Sequence, residues 1–375
     1  NGNLIYAYEP LDKILNNSNI KFNGKNNILF LCSGAKIDNS NIEFVNDNSL
    51  VFICSTNLIK TDIVLHYNSI CYIGNYSYFN PYGMRCLALA ERQNIIFGDR
   101  CLFSTHIEFH TLDWHLIYDN DNNLRINLSK SIYLGDHVWI GMDALILKGS
   151  IIHSGAIIGA RSVSTKQYYS NTANAGNPAR EIKSNLFWDA KCPKSYTKKQ
   201  IEQIFHFNTE NFKYTYNQNE FLSPKAIEAK LDSLNTAQEK LEFVYDAIYM
   251  NKNKNRFAYF KDMPYDIPLP KYESKFKLFK FEEIEPTPPK PTTPPQPAQP
   301  TPQEQINSLK EEINKKDIEI KNLEITNQKA QNIKNHLSYK LGNALIKAHK
   351  QWYKGGYIKF IFEAIKIQNE HKFKR

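Results

Sequence analysis

Residues 134–166 read LGDHVWIGMDALILKGSIIHSGAIIGARSVSTK. An aliphatic residue returns at every sixth position, at Leu134, Ile140, Ile146, Ile152 and Ile158, and Ser164 closes the series. Four residues after each of the first five comes a small or short side chain: Val138, Ala144, Ser150, Ala156, Ser162. Gly follows the aliphatic residue at 135, 141 and 159. A helix repeats near 3.6 residues and a strand near 2, so neither explains the period. One short strand plus one sharp corner does. Three such units make a triangular coil, with the aliphatic residue filling the interior and the small residue fitting near a corner. Stacked coils bury a continuous ladder, which predicts a parallel β-helix.

The same period is visible upstream. Ile73 and Phe79 share the inward slot, as do Phe97, Phe103 and Phe109, with Cys101 and Ile107 in the small slot. Before residue 70 the pattern is degraded but strand-rich, as in NSNIEFVNDNSLVFICS.

Composition divides the chain into four parts. Residues 1–190 carry the repeats; 191–283 are rich in Lys, Tyr and Phe and read as a mostly helical extension. Residues 284–303, IEPTPPKPTTPPQPAQPTPQ, form a Pro-rich linker, since proline at this density removes the donors that helix and sheet need. Residues 304–375 read as a short coiled coil and a basic amphipathic tail. Ile306, Ile313, Ile320 and Asn327 fall at one heptad position, and Leu309, Lys316, Leu323 and Ala330 at the other. A single charged helix is the alternative.

The net charge is +9, but residues 334–375 hold ten basic residues against Glu363 and Glu370. The excess sits on a tail rather than on the repeat region, which argues against nucleic-acid binding. The tail fits an anionic membrane surface or a partner protein. No uninterrupted run of 18 apolar residues exists, and NGNLIYAYEP has no basic and apolar regions of a secretory signal. Six cysteines without a CxxC pair predict neither disulfide framework nor metal site. A cytoplasmic location is expected, peripheral to the membrane's inner face if the tail binds it.

Repeat and closing stretch ANAGNPAREIK together resemble the hexapeptide-repeat acyltransferases, closely over 70–185 and loosely over 20–70. The resemblance implies a left-handed parallel β-helix, acetyl-CoA as co-substrate, no metal, and a homotrimer with the cofactor held between neighbouring subunits. The repeat is interrupted once, by HTLDWHLIYDNDNNLRINLSKSIY after Phe109. With FSTHIEFHTLDWHLIYD around it, this excursion is most similar to the subset that O-acetylates capsule or lipopolysaccharide sugars.

That similarity makes His115 the expected general base, Asp113 a candidate to orient its ring, and His110 a residue facing the substrate. An imidazole with pKa near 6.5 is suited to take the proton of a sugar hydroxyl. By resemblance, Trp139 lies beside the thioester end of the cofactor, and Gly141, Ala160, Thr165, Lys166, Asn177, Arg180 and Lys183 contact coenzyme A. Lys148 is a further candidate in that cleft, and Asn80 one for the acceptor. The Gly141 amide is the expected oxyanion donor, because a residue without a side chain leaves its N–H accessible. No Ser or Cys nucleophile sits in a recognisable motif, so direct transfer is expected. Two readings stand beside O-acetylation of a surface polysaccharide: acetylation of a nucleotide sugar or other small acceptor, and a non-catalytic β-helix scaffold.

Overall fold

The computed structural model describes residues 2–276, together with helical residues at 340–341, 344–346, 349, 360 and 363–367. The chain divides into two compact units, Asn1–Thr287 and Pro288–Arg375. The linker at 284–303 and the heptads from 306 lie outside the described residues, as does most of the basic tail.

Three sheets form the sides of a prism, with eight, nine and seven strands, every pairing parallel except that of the last strand of the nine. Face A begins at Leu4–Ala7 and runs through Ile132–Leu134 to Gln167–Tyr168. Face B runs from Leu15–Asn16 through Trp139–Ile140 to Ala173–Ala175, and face C from Asn19–Phe22 through Ile107–His110 to Val163–Ser164. The chain visits A, B and C in turn, so each coil has an A–B, a B–C and a C–A vertex. The fold is the mainly β, stacked-coil architecture that the repeats predict. It starts earlier than they reveal, with Leu4–Ala7 pairing in parallel with Ile28–Leu31.

Every inward aliphatic residue of the opening stretch is buried, and so is every small residue in its corner slot. Aromatics stack along the interior: Phe79 on Phe103 at 4.7 Å, Phe22 on Phe44 at 4.6 Å. Asn, Asp, Arg and His residues take the left-handed corner conformation, among them Asn39, Asn48, Asn68 and His137.

Face A differs from the other two. Its strands Ile28–Leu31, Leu50–Ile53 and Ile70–Ile73 are buried at every position, whereas Asn41–Phe44 on face C alternates. A strand buried on both sides reads as a continuous apolar run. The cover comes from the segment after the prism. Phe30, Phe52, Tyr72 and Ile96 share one cluster with Ile227, Leu241, Val244, Ile248 and Phe257. The elements responsible are the helices Pro224–Asp232 and Ala237–Phe243, the latter running into a π-helical turn, Val244–Tyr249. Each such apolar side chain contributes about 1.5–3 kcal/mol on burial. Glu228 fastens the first helix by accepting hydrogen bonds from Tyr133 and Ser131.

Candidate active site

The excursion leaves the prism after Ile107–His110 and returns at Ile132–Leu134, so it stands on the C–A vertex. Its anchors are on that vertex as well. Arg125 forms a fork to both oxygens of Glu91 at 2.6 and 3.0 Å, which holds the Glu91 carboxyl down at about 2. Asn127 is the internal clasp: its amide donates to Asp113 at 3.0 Å and to the His115 carbonyl at 2.8 Å, while its oxygen accepts from the Ile117 N–H.

His115 is exposed on this excursion, before the Tyr118–Arg125 bridge that leads into its turn. Among the described residues no hydrogen bond joins Asp113 to the His115 ring. Its carboxylate is engaged by Lys148 Nζ at 2.6 Å and by Asn127, and the nearby ammonium lowers its pKa. Lys148, expected in the cofactor cleft, spends its charge here and on the Asn127 carbonyl. His110 lies at the root of the excursion, with Nε2 2.9 Å from Glu108, its ring edge-on to Trp114, and Nδ1 buried without a partner. Thr165 and Lys166 are exposed on the same vertex, two coils below.

The other expected residues gather elsewhere. Trp139 points outward from face B, 38% exposed, with its indole N–H 3.5 Å from Ser104 Oγ. Gly141, Ala160 and Asn177 follow it at the B–C vertex, and Arg180 and Lys183 lie exposed on the strand Arg180–Lys183, antiparallel to Ala173–Ala175. Asn80 belongs to this vertex too. Its side chain accepts from the Tyr82 N–H, and its carbonyl from the buried Arg85 guanidinium. The Gly141 expectation needs correction. Its amide donates to the Ile158 carbonyl at 2.8 Å within the coil stack and is not free for an oxyanion. Glycine is required there for another reason: a Cβ would sit 2.4 Å from the Ala160 nitrogen.

The expected site residues thus form two groups. His110, Asp113, His115, Lys148, Thr165 and Lys166 are on the C–A vertex; Asn80, Trp139, Gly141, Ala160, Asn177, Arg180 and Lys183 are on face B and its B–C edge. In a triangular prism the C–A vertex is opposite face B. Within one chain, His115 and Trp139 share no bonding partner. Sequence reasoning missed Asn127, Ser104 and Trp188, whose roles depend on contacts with no local signature. Among the described residues no group of three or more His, Cys, Asp and Glu is placed to hold a metal, and no helix is long and apolar enough to cross a membrane.

Comparison with known proteins adds the following. A family model described as "Domain of unknown function (DUF8374)" matches residues 304–374. The polysialic acid O-acetyltransferase of Escherichia coli O1:K1 / APEC is 33% identical over 130 residues, 35% of this chain and 41% of that protein. The polysialic acid O-acetyltransferase of Neisseria meningitidis is 38% identical over 63 residues, 17% of this chain and 29% of that protein. The chain therefore spans less than half the length of these curated relatives. A solved structure of the polySia specific acetyltransferase NeuO is 29% identical, covering 54% of this chain and 93% of that one, with a TM-score of 0.46. The relatives bear out the resemblance read from the repeats.

Proposed function

We propose that this chain, a relative of the polysialic acid O-acetyltransferases and other hexapeptide-repeat acetyltransferases, transfers acetyl from acetyl-CoA to a hydroxyl of a bacterial capsular polysaccharide. The catalytic site is completed between copies: the C–A vertex of one brings His115 to face B and the B–C edge of the next. One observation carries this reading, the placement of the two groups on opposite sides of one prism. A second supports it. Trp114, Leu116, Ile117, Tyr118, Leu124, Ile126 and Leu128 of the excursion are each 50–65% exposed. A cluster of this kind is typical of a surface that meets a partner. Vertex against opposite face is a heterologous contact, which closes into a ring when the rotation between copies permits and otherwise runs on as a filament. A three-sided prism with one face covered fits a trimer.

In the assembled site the acceptor hydroxyl attacks the thioester carbonyl while His115 Nε2 or Nδ1 takes its proton. The C–O bond forms, the C–S bond breaks, and the proton passes from the imidazolium to the departing thiolate. General-base help of this kind contributes about 10²–10⁴-fold. Trp139 walls the thioester end, and Arg180, Lys183 and Lys166 supply charge for phosphates. Coenzyme A release from acetyl-CoA, measured against a panel of capsular polysaccharides, tests the proposal. Turnover with at least one polymer that is lost in His115→Ala supports it; equal turnover by His115→Ala refutes it.

A further inference from the structure

The indole of Trp139 leaves a strand of only two residues, Trp139–Ile140. Its polar contact, 3.5 Å to Ser104 Oγ, is at the outer limit of a useful hydrogen bond and does not fix the ring. Among the described residues one aromatic ring lies against it. Trp188, from beyond the prism, is 5.8 Å away between centroids and tilted by 48°.

Trp188 is itself locked. It is 7% exposed, and its indole N–H donates to the His137 carbonyl at 3.0 Å. In return, His137 Nε2–H donates to the Trp188 carbonyl at 3.0 Å. The two rings stack at 3.8 Å and 4°, and Phe212 closes the other side of the imidazole at 4.3 Å and 7°. His137 is two residues before Trp139, in a left-handed corner, with its amide bound to the Asp99 carbonyl. The later chain therefore returns to the very coil that displays Trp139, and builds a rigid three-ring stack beside it.

We propose that Trp188 is a positioning residue, which sets the rotamer of Trp139 and through it the shape of the thioester end of the site. The inference rests on the reading of Trp139 given under Proposed function. It also assigns a role to the segment after the repeats: it holds one site residue still, in addition to covering face A. An exposed aromatic side chain with an apolar wall on one side keeps one rotamer; without the wall it samples several.

The test uses the full chain labelled with 5-fluorotryptophan, with the Trp139 resonance identified by its loss in Trp139→Phe. Trp188→Leu is expected to broaden or split that resonance, and Trp188→Phe, which keeps a ring in place, to restore a single line. Trp188→Met serves as the second wall-less variant should the Leu protein fail to fold. In turnover, Trp188→Leu is expected to lose about 10- to 100-fold in kcat/KM. It should cost nothing further in a Trp139→Ala background, as required of a residue that acts through Trp139. A Trp139 line unchanged by removal of the residue 188 ring, or losses that multiply independently in the double variant, would overturn the proposal. A wild-type protein inert toward every acceptor, with its Trp139 line still governed by residue 188, would refute the enzymatic reading and uphold the positioning of the indole.

Discussion

Arg256 reaches back 120 residues to grip Asp136 at the corner just before Trp139, Nε to Oδ2 at 2.9 Å and Nη2 to Oδ1 at 2.7 Å. The guanidinium is buried, adds Asp99 at 3.2 Å, and fills its remaining donors with the carbonyls of Ile248 and Asn251. Two carboxylates from neighbouring coils and two carbonyls from the π-helical region thus converge on one cation. Arg256→Met strands Asp99 and Asp136 without their cation, which costs about 3–5 kcal/mol. The melting temperature should fall by on the order of 10 °C. An unchanged melting temperature would show that the extension is held by its apolar face alone.

His153 gives the fold a pH dependence with a defined sign. Its Nδ1–H donates to the Phe257 carbonyl at 3.1 Å and Nε2 accepts from the Gln167 amide at 2.9 Å, so the ring is held neutral. Burial pushes its pKa down to about 3, from the ordinary value near 6.5. Between these values the unfolded chain binds a proton that the folded chain does not. Stability is therefore lost as pH falls below about 6.5, by about 1.4 kcal/mol per pH unit from this group. Burial lowers His137 in the same direction. Urea unfolding at pH 7.5, 6.5 and 5.5 should trace this slope, and His153→Asn should flatten it while lowering stability throughout.

Asn127 controls the excursion without touching the prism core. Asn127→Ala removes three of the bonds that close the loop around His115. Turnover should fall by roughly 10- to 100-fold, with little change in melting temperature. Faster amide exchange over residues 112–118 would accompany the loss. Unchanged exchange would mean that Lys148 and Arg125 suffice as anchors.

Leu124 and Ile126 are 65% and 61% exposed on that loop. Leu124→Asp with Ile126→Asp should leave the fold of the single chain intact and drive sedimentation toward the monomer. A pair of charges placed on an open surface would leave the assembly state as it was.

The legibility of this chain in its sequence follows its geometry. From Ile132 onward corners are tight, and Leu134, Ile140 and Ile146 declare the prism unaided. The earlier face-A strands begin at residues 4, 28, 50, 70 and 94, so those coils run 20–24 residues and their extra corner residues blur the six-residue beat. A second signal is present there: left-handed asparagines recur coil by coil, Asn17 to Asn39, and Asn26 to Asn48 to Asn68. The apolar runs ILFL, LVFI and ICYI also announce that face A is covered on both sides. What covers it was not readable, because Arg256 and Trp188 find their partners across long sequence separations. His115 and Trp139, the residues proposed for the site, are legible as residue types in their motifs. Their division between opposite sides of the prism is not, since it depends on which vertex carries the excursion.

That division is most directly tested by subunit mixing. Differently tagged His115→Ala and Trp139→Ala chains are co-expressed, mixed assemblies are isolated through both tags, and acetyl-CoA turnover is measured beside each variant alone. A site shared between copies predicts that both variants are strongly impaired alone and that the mixed assembly regains activity, since one junction pairs an intact His115 with an intact Trp139. Mixed assemblies no more active than their parents, with wild-type assemblies active, would contradict it.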